Sequence, residues 1–423
     1  MEKIKVIETV EGLDRLYKKL KGKDIFMQFV YEDAYKHPIQ NDISVIYIND
    51  FKQDYLINIK NSDSNRVNLV SDKFDNFGKV YLFGAKELLH RYKITNYTDL
   101  NHYLHLVSGK YFGIEELYSF DAHRWYQVNY YGVENINNFI PLMKHLEYCR
   151  VAFKYCQYIL EKFECKQYNN EIIENLNYIE QSGLHTKDGM EYTQYNSFTS
   201  TGRPSNRFGG VNYAALNKTD GSREKYISRF DDGTLVEYDF DAYHLRLIAD
   251  KVGYSFPDGS VHEHMAKEYG VSYEESKKLS FRYLYGGIPK EISKQIDYFD
   301  RVREYIDTLW NTFTTQKEVT TDIYIRVFKR TTFDDMNPNK LFNYMIQSLE
   351  TERNIRLIND IKKYLADKKS KLILYSYDAF LFDFCKQDGE KTLLDLKNLL
   401  EVDGYSTKTT IGKNYQEMSS YEL

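Results

Sequence analysis

The chain has 423 residues, 42% of them hydrophobic and 28% charged, with a formal net charge of −5. That composition excludes a disordered chain, and the acidic balance excludes a protein that coats nucleic acid by bulk charge, while a local basic cleft stays possible. The length allows two or three domains with ample core. The opening MEKIKVIETVEGL is too charged for a secretory signal, and no apolar run reaches the length of a membrane span. A soluble, cytoplasmic protein without membrane contact is the expectation. Cys149, Cys156, Cys165 and Cys385 have no CxxC spacing and read as buried reduced thiols, neither zinc ligands nor disulfides.

From Met1 to about Phe120 the pattern predicts a small α/β domain with a mixed sheet. Its strands are Ile25 to Val30, Ile43 to Ile48, Tyr55 to Ile59 and Val80 to Phe83, followed by a helix from Ala85 to Tyr92. Val133 to Lys166 reads as a long helical arm. Gln194 to Lys218 is rich in Gly, Ser, Asn and Thr yet lies inside a folded chain, so it is an ordered functional loop or a linker.

Leu235 to Ile248, LVEYDFDAYHLRLI, is the stretch around which the rest is organised. It starts as a strand that delivers Asp239 and turns into a helix near Ala242. A carboxylate at the end of a buried strand costs solvation energy, and a cation or a helix N-terminus is the usual reason for it. Val261 to Tyr285 is predicted helical, with Lys277, Phe281 and Tyr285 spaced by four on one face. Gly286, Gly287 and Pro289 end it. Two further helices, Tyr298 to Phe313 and Lys340 to Leu365, are joined through a basic segment from Arg326 to Arg330. Leu372 to Phe384 is a β-hairpin with Tyr377 and Asp378 at its tip. Two strand-tip carboxylates able to meet in one sheet are what a two-metal phosphoryl-transfer site requires.

Six motifs now stand in one order. They are Thr201-Gly202-Arg203, Asn212 to Asn217, DFDAYHLR from Asp239, KLSFRYLYGG from Lys278, NYMIQ from Asn343 and YSYDAF from Tyr375. From about Gln194 to the end, including a closing Gly412 to Tyr415 that resembles the family's final strand, the chain resembles the family A DNA polymerases, most of all the divergent ones of bacteriophages. The resemblance implies an α+β right-hand polymerase of palm, fingers and short thumb behind an N-terminal α/β exonuclease-like (RNase H-like) domain. The divisions it implies are 1–130 for the exonuclease-like domain, 131–193 for the thumb, 194–260 and 341–423 for the palm, and 261–340 for the fingers. In a phage-encoded enzyme the location is the host cytoplasm.

The same resemblance assigns roles. Asp239 and Asp378 match the two metal-binding aspartates, with the Phe240 carbonyl as a further ligand, for two Mg²⁺ ions or Mn²⁺ in their place. Lys277, Phe281 and Tyr285 match the face that holds the incoming dNTP. The reading that competes is a surface lysine above a core aromatic stripe. Arg203, Asn212, Asn217, Asn343, Gln347 and Tyr377 fall in the set that faces primer-template DNA. For Asn343 and Gln347, solvated helix amides are the alternative. Arg246 is expected to brace the palm, and Arg326, Lys329 and Arg330 to contact template phosphates or form a solvated turn.

Several positions depart from the family pattern. Its second fingers cation is Tyr273 here, which throws that task onto another base such as Lys278. Its ribose-excluding glutamate is His244, and the histidine and glutamate beside its second aspartate are Tyr377 and Ala379. The N-terminal strand IFMQFVY carries no acid before Glu32 and Asp33, and Asp99 alone cannot hold a metal pair, so proofreading is expected to be lost. A processivity factor or other replisome protein is the further partner implied. The competing functions are a single-subunit RNA polymerase and a primer-template binding protein with a dead palm.

Overall fold

A computed structural model of the chain describes residues 4–33, 36–67, 76–109, 135–163, 165, 168–206 and 211–423. Residues 110–120 of the expected N-terminal domain, parts of the expected arm (133–134, 164 and 166) and 207–210 of the polar loop lie outside them. The chain falls into two compact units, Met1–His105 with Lys110–Asn177, and Leu106–Gly109 with Tyr178–Leu423.

The first unit is built on a six-stranded mixed sheet. The strands are β1 (Lys5–Ile7), β2 (Ile25–Tyr31), β3 (Ile43–Asn49), β4 (Asp54–Asn58), β5 (Val80–Leu82) and β6 (Tyr97–Asp99), in the order β1-β4-β3-β2-β5-β6. Strand β2 is buried on both faces, so it reads as a continuous apolar run. Ile25, Met27 and Phe29 enter one core with Leu13, Leu16 and Leu20 of helix α1 (Val10–Leu20), whose N-cap Thr9 accepts the Gly12 N–H at 3.1 Å. Phe26 and Val30 enter the other core with Leu146, Cys149, Ala152, Cys156 and Ile159.

Those last five residues belong to the segment expected as an arm over Val133 to Lys166. It is a helix only over Leu142–Lys162, behind Pro141, and it covers the second face of this sheet. The helix expected over Ala85 to Tyr92 stops at Leu88 (α2, Ala85–Leu88) and continues as a tightened turn, Arg91 N–H bonding the Leu88 carbonyl at 2.9 Å. Asp99 lies at the end of β6. Its carboxylate accepts the N–H groups of Ala85 (2.7 Å), Asn101 (3.1 Å) and His102 (3.2 Å), tying α2 to the start of α3 (Leu100–Ser108). Burial pushes its pKa up to about 6. All four cysteines are buried and free.

The second unit carries a five-stranded antiparallel sheet, β15-β16-β12-β17-β18. In chain order the unit's strands are β7 (Leu184–Thr186), β8 (Gly189–Glu191), β9 (Tyr195–Asn196), β10 (Ser205–Asn206), β11 (Tyr226–Ile227), β12 (Thr234–Phe240), β13 (Glu318–Thr320), β14 (Val327–Lys329), β15 (Lys371–Ser376), β16 (Ala379–Phe384), β17 (Thr407–Gly412) and β18 (Ser419–Ser420). With the Leu142–Lys162 helix as α4 and Glu171–Ser182 as α5, the helices that follow are α6 (Tyr243–Lys251), α7 (Val261–Tyr269), α8 (Tyr273–Gly286), α9 (Lys290–Gln295), α10 (Asp297–Gln316), α11 (Pro338–Tyr364) and α12 (Lys391–Leu400). Leu245, Ile248, Val261, Met265, Leu284, Tyr298, Phe299, Val302, Phe342 and Ile346 form one core among α6, α7, α8, α10 and α11.

Three expectations change here. The single helix over Val261 to Tyr285 is two, because Gly270 takes a φ of 67° and ends α7, and Ser272 caps α8 through the Glu275 N–H at 3.3 Å. The segment Arg326 to Arg330 ends in an exposed turn at Arg330 but starts buried. It supplies β14, and Arg326 is 3% exposed, facing Glu352, with burial lowering its pKa to about 10. The closing Gly412 to Tyr415 is the turn that ends β17, where Asn414 Oδ1 accepts the N–H of Gln416 and Glu417.

Candidate active site

Alternation along β12 decides which way its acids face. Tyr238 points to one side, where its hydroxyl donates to the Leu393 carbonyl of α12 at 2.8 Å, so Asp239 points to the other. Asp239 is register partner to Ala379 on β16 and to Lys408 on β17. One residue on, the Phe240 N–H donates to the Asp378 carbonyl at 3.0 Å, which sets the second acid beside the first.

Both acids adjoin turns with a residue in the left-handed region, Ala242 (φ 49°) and Tyr377 (φ 61°). Each costs about 1 kcal/mol for a residue with a Cβ and needs support. Buried Asn354 of α11 supplies it to both. Its Oδ1 accepts the Tyr243 hydroxyl and its Nδ2 donates to the Tyr377 carbonyl, each at 2.7 Å. The Arg203 guanidinium also lies 3.8 Å from the centroid of the Tyr377 ring.

These residues open onto a cavity of about 770 Å³. Its wall includes Asp239, Phe240 and Asp378, together with His244, Lys277, Phe281, Tyr285, Arg203, Asn343 and Gln347. Phe281 and Tyr285 stack in parallel, 5.9 Å apart and 3° from coplanar. The Lys277 ammonium sits 4.4 Å over the Tyr273 ring, so the aromatic residue at the missing cation's place cradles the remaining one. Asn343 donates to the Tyr285 carbonyl at 3.2 Å. The Thr201-Gly202-Arg203 loop is docked on α11: Ser348 donates to the Thr201 carbonyl (2.9 Å) and Arg203 to Glu350 (3.3 Å). Gly202 has a φ of 72°, and a Cβ there would collide with the Arg326 guanidinium, which accounts for glycine.

Burial, then the charges of Asp378 and Glu237, push Asp239 up to about 7. Burial, then Glu350, raises Asp378 as well. Two half-buried carboxylates beside each other with raised pKa values form a donor set that a hard divalent cation satisfies. Asp239, Asp378 and the carbonyl of Phe240 are the residues that could hold one.

Three expected residues stand elsewhere. Asn212 and Asn217 do not line the cavity; Asn217 shapes its own exposed turn by accepting from Thr219. Tyr377 lies behind Arg203 and does not line the wall. Lys278 is exposed and off the wall; the extra cation is Lys408, paired with Asp241 at 2.6 Å. Arg246 braces the turn, bonding the carbonyls of Asp241 (3.1 Å) and Gly259 (3.2 Å).

Among the wall residues that escaped the sequence reading are Asp241, His262, Glu350 and Lys408. A signal for Glu350 exists, since Asn343, Gln347, Glu350 and Asn354 follow the i, i+4, i+7, i+11 spacing of one helix stripe. Lys408 reaches Asp239 only through strand register, which no local spacing announces.

The mixed α+β fold matches that of a DNA polymerase domain. A solved structure that it resembles is the POL domain of Pol1 from M. smegmatis in complex with DNA primer-template and dNTP. The TM-score is 0.71 and the identity 12%, over 98% of this chain and 99% of that one. In sequence, no family model and no curated protein matches the chain.

Proposed function

We propose that the chain is a template-directed DNA polymerase of the family A type, of bacteriophage replication. It adds dNTPs to a primer 3′ end and releases pyrophosphate. The observation that carries this is the convergence on one cavity of two half-buried aspartates at a strand end and a hairpin tip, the Lys277, Phe281 and Tyr285 face, and Arg203. The fold similarity to a polymerase domain supports it.

In this reading Asp239 and Asp378, with the Phe240 carbonyl, hold Mg²⁺. The chemistry a divalent pair supplies when bound is activation of the primer 3′-hydroxyl and neutralisation of charge on the α-phosphate. Lys277, and Lys408 across the cavity, face the triphosphate as point charges. Phe281 and Tyr285 stack with the base and sugar, and His244 stands where a 2′-hydroxyl would project. Arg203, Asn343 and Gln347 meet the primer-template, where acceptors common to all base pairs allow contact without sequence preference.

Palm, fingers and thumb follow the divisions given by the resemblance, except that α4 covers the first unit's sheet and leaves a thumb only the chain beyond it. The first unit serves as an exonuclease-like scaffold without proofreading, in keeping with the capping role of Asp99.

The test is primer extension with Mg²⁺, comparing dNTPs with rNTPs, beside Asp239→Asn and Asp378→Asn. Extension with dNTPs, lost on EDTA addition and in both variants, is expected. Extension with rNTPs as well moves the reading to a relaxed or RNA-making enzyme, and binding without extension leaves a primer-template binding protein.

A further inference from the structure

We propose that Glu350 is a positioning residue that fixes the His244–Tyr285 pair as the wall met by the sugar of the incoming nucleotide, and couples that wall to Arg203. This rests on the polymerase reading. Glu350 is fully buried (0% exposed) in the middle of α11, where a carboxylate persists only among cations and donors. Its partners come from two other elements. Arg203 Nε lies 2.9 Å from Oε2, and its Nη2 donates to Oε1 at 3.3 Å. His244 Nε2, from α6, lies 3.1 Å from Oε1, and its other ring nitrogen bonds the Tyr285 hydroxyl.

A connected row, Arg203–Glu350–His244–Tyr285, thus runs along the cavity wall from the loop before β10 to helix α8. His244 is bonded to Tyr285 through Nδ1 and has the Glu350 carboxylate beside Nε2; without Glu350 that second contact is lost, and the ring that braces Tyr285 is less firmly oriented. One carboxylate also serves two cavity functions. When DNA draws Arg203 away, His244 is the partner that remains, and its contact with Glu350 strengthens. Primer-template binding is therefore expected to sharpen selection against a 2′-hydroxyl.

The experiment uses the full chain with Glu350→Gln and Glu350→Asp. Affinities for the templated dNTP and the matching rNTP are measured on a dideoxy-terminated primer-template with Ca²⁺, and the His244 ring ¹⁵N resonances are recorded without DNA. Glu350→Gln is expected to move those resonances, lower the dNTP-to-rNTP affinity ratio by about tenfold, and raise KM for dNTP more than it lowers kcat. Glu350→Asp, which keeps the charge but withdraws it by one methylene, is expected to lie between, and carries the test if Glu350→Gln does not fold. Unmoved resonances, or an unchanged ratio, overturn the proposal. A wild-type protein that binds neither nucleotide removes the polymerase reading and the sugar-wall role with it, even where the resonances move.

Discussion

The backbone N–H of Phe240 donates to the carbonyl of Asp378 at 3.0 Å, which holds Asp378 beside Asp239, 139 positions away in the chain. If these acids are the metal-binding pair, Asp239→Asn and Asp378→Asn each lower the extension rate by about 10³-fold or more, the scale of losing one charge-stabilising group at a reacting centre. Primer-template affinity should stay within a few-fold. Single-turnover extension and a filter-binding titration check both halves.

The raised pKa of Asp239 gives a pH prediction for metal-free protein. The folded state holds this proton up to about 7, against about 4 for a carboxyl in the unfolded chain, so it binds more protons than the unfolded state in that window. The contribution to stability is fully present below the lower value and is lost as pH rises through about 7. Asp239→Asn should therefore raise the metal-free Tm at pH 8 by about 2–4 °C, a gain of about 1 kcal/mol, and leave it unchanged at pH 4. Mg²⁺ competes with the same proton, so its apparent affinity should climb with pH and level off above about 7. Calorimetry with and without Mg²⁺ decides.

Asn354→Leu removes the brace shared by the Tyr243 and Tyr377 turns. It takes away the acceptor of the Tyr243 hydroxyl, which keeps its bond from Arg353, and leaves the Tyr377 carbonyl unpaired, at a cost of about 1–3 kcal/mol. Extension measured well below the new Tm should fall more steeply than the folded fraction, because the turn beside Asp378 loses its support.

Arg326→Met strands Glu352, a carboxylate whose pKa burial already raises, and should destabilise the protein by about 3 kcal/mol. Adding Glu352→Gln should recover part of that. The salt dependence of DNA binding should not change, whereas a phosphate-contacting arginine would shift its slope by about one.

With α4 committed to the first unit's sheet, little chain is left to wrap DNA. Extension under a heparin or excess-template trap should stop after few additions. Long products from single binding events would show that no clamp or accessory factor is needed.

Much of the fold could be read locally. The alternation of LVEYDF, the spacing of Lys277, Phe281 and Tyr285, and the hairpin with Asp378 at its tip are short-range patterns, and each forms the element expected. The errors fall where a single backbone feature outweighs periodicity. Gly270 breaks one apolar-periodic run into α7 and α8, and Pro141 delays the start of α4. The charge of Arg326 reads as facing phosphate or solvent because charged residues usually do; pairing across elements is what lets it, and Glu350, stay buried.

The sequence by itself determined which residue types reach strand ends and helix faces, since periods of two and 3.6 follow from backbone geometry. Only the tertiary structure decided their company. Strand register placed Lys408 opposite Asp239, and the packing of α11 set Asn354 between two turns and Glu350 between Arg203 and His244. Those are contacts between residues far apart in the chain, and their energies depend on burial and orientation that no local spacing encodes.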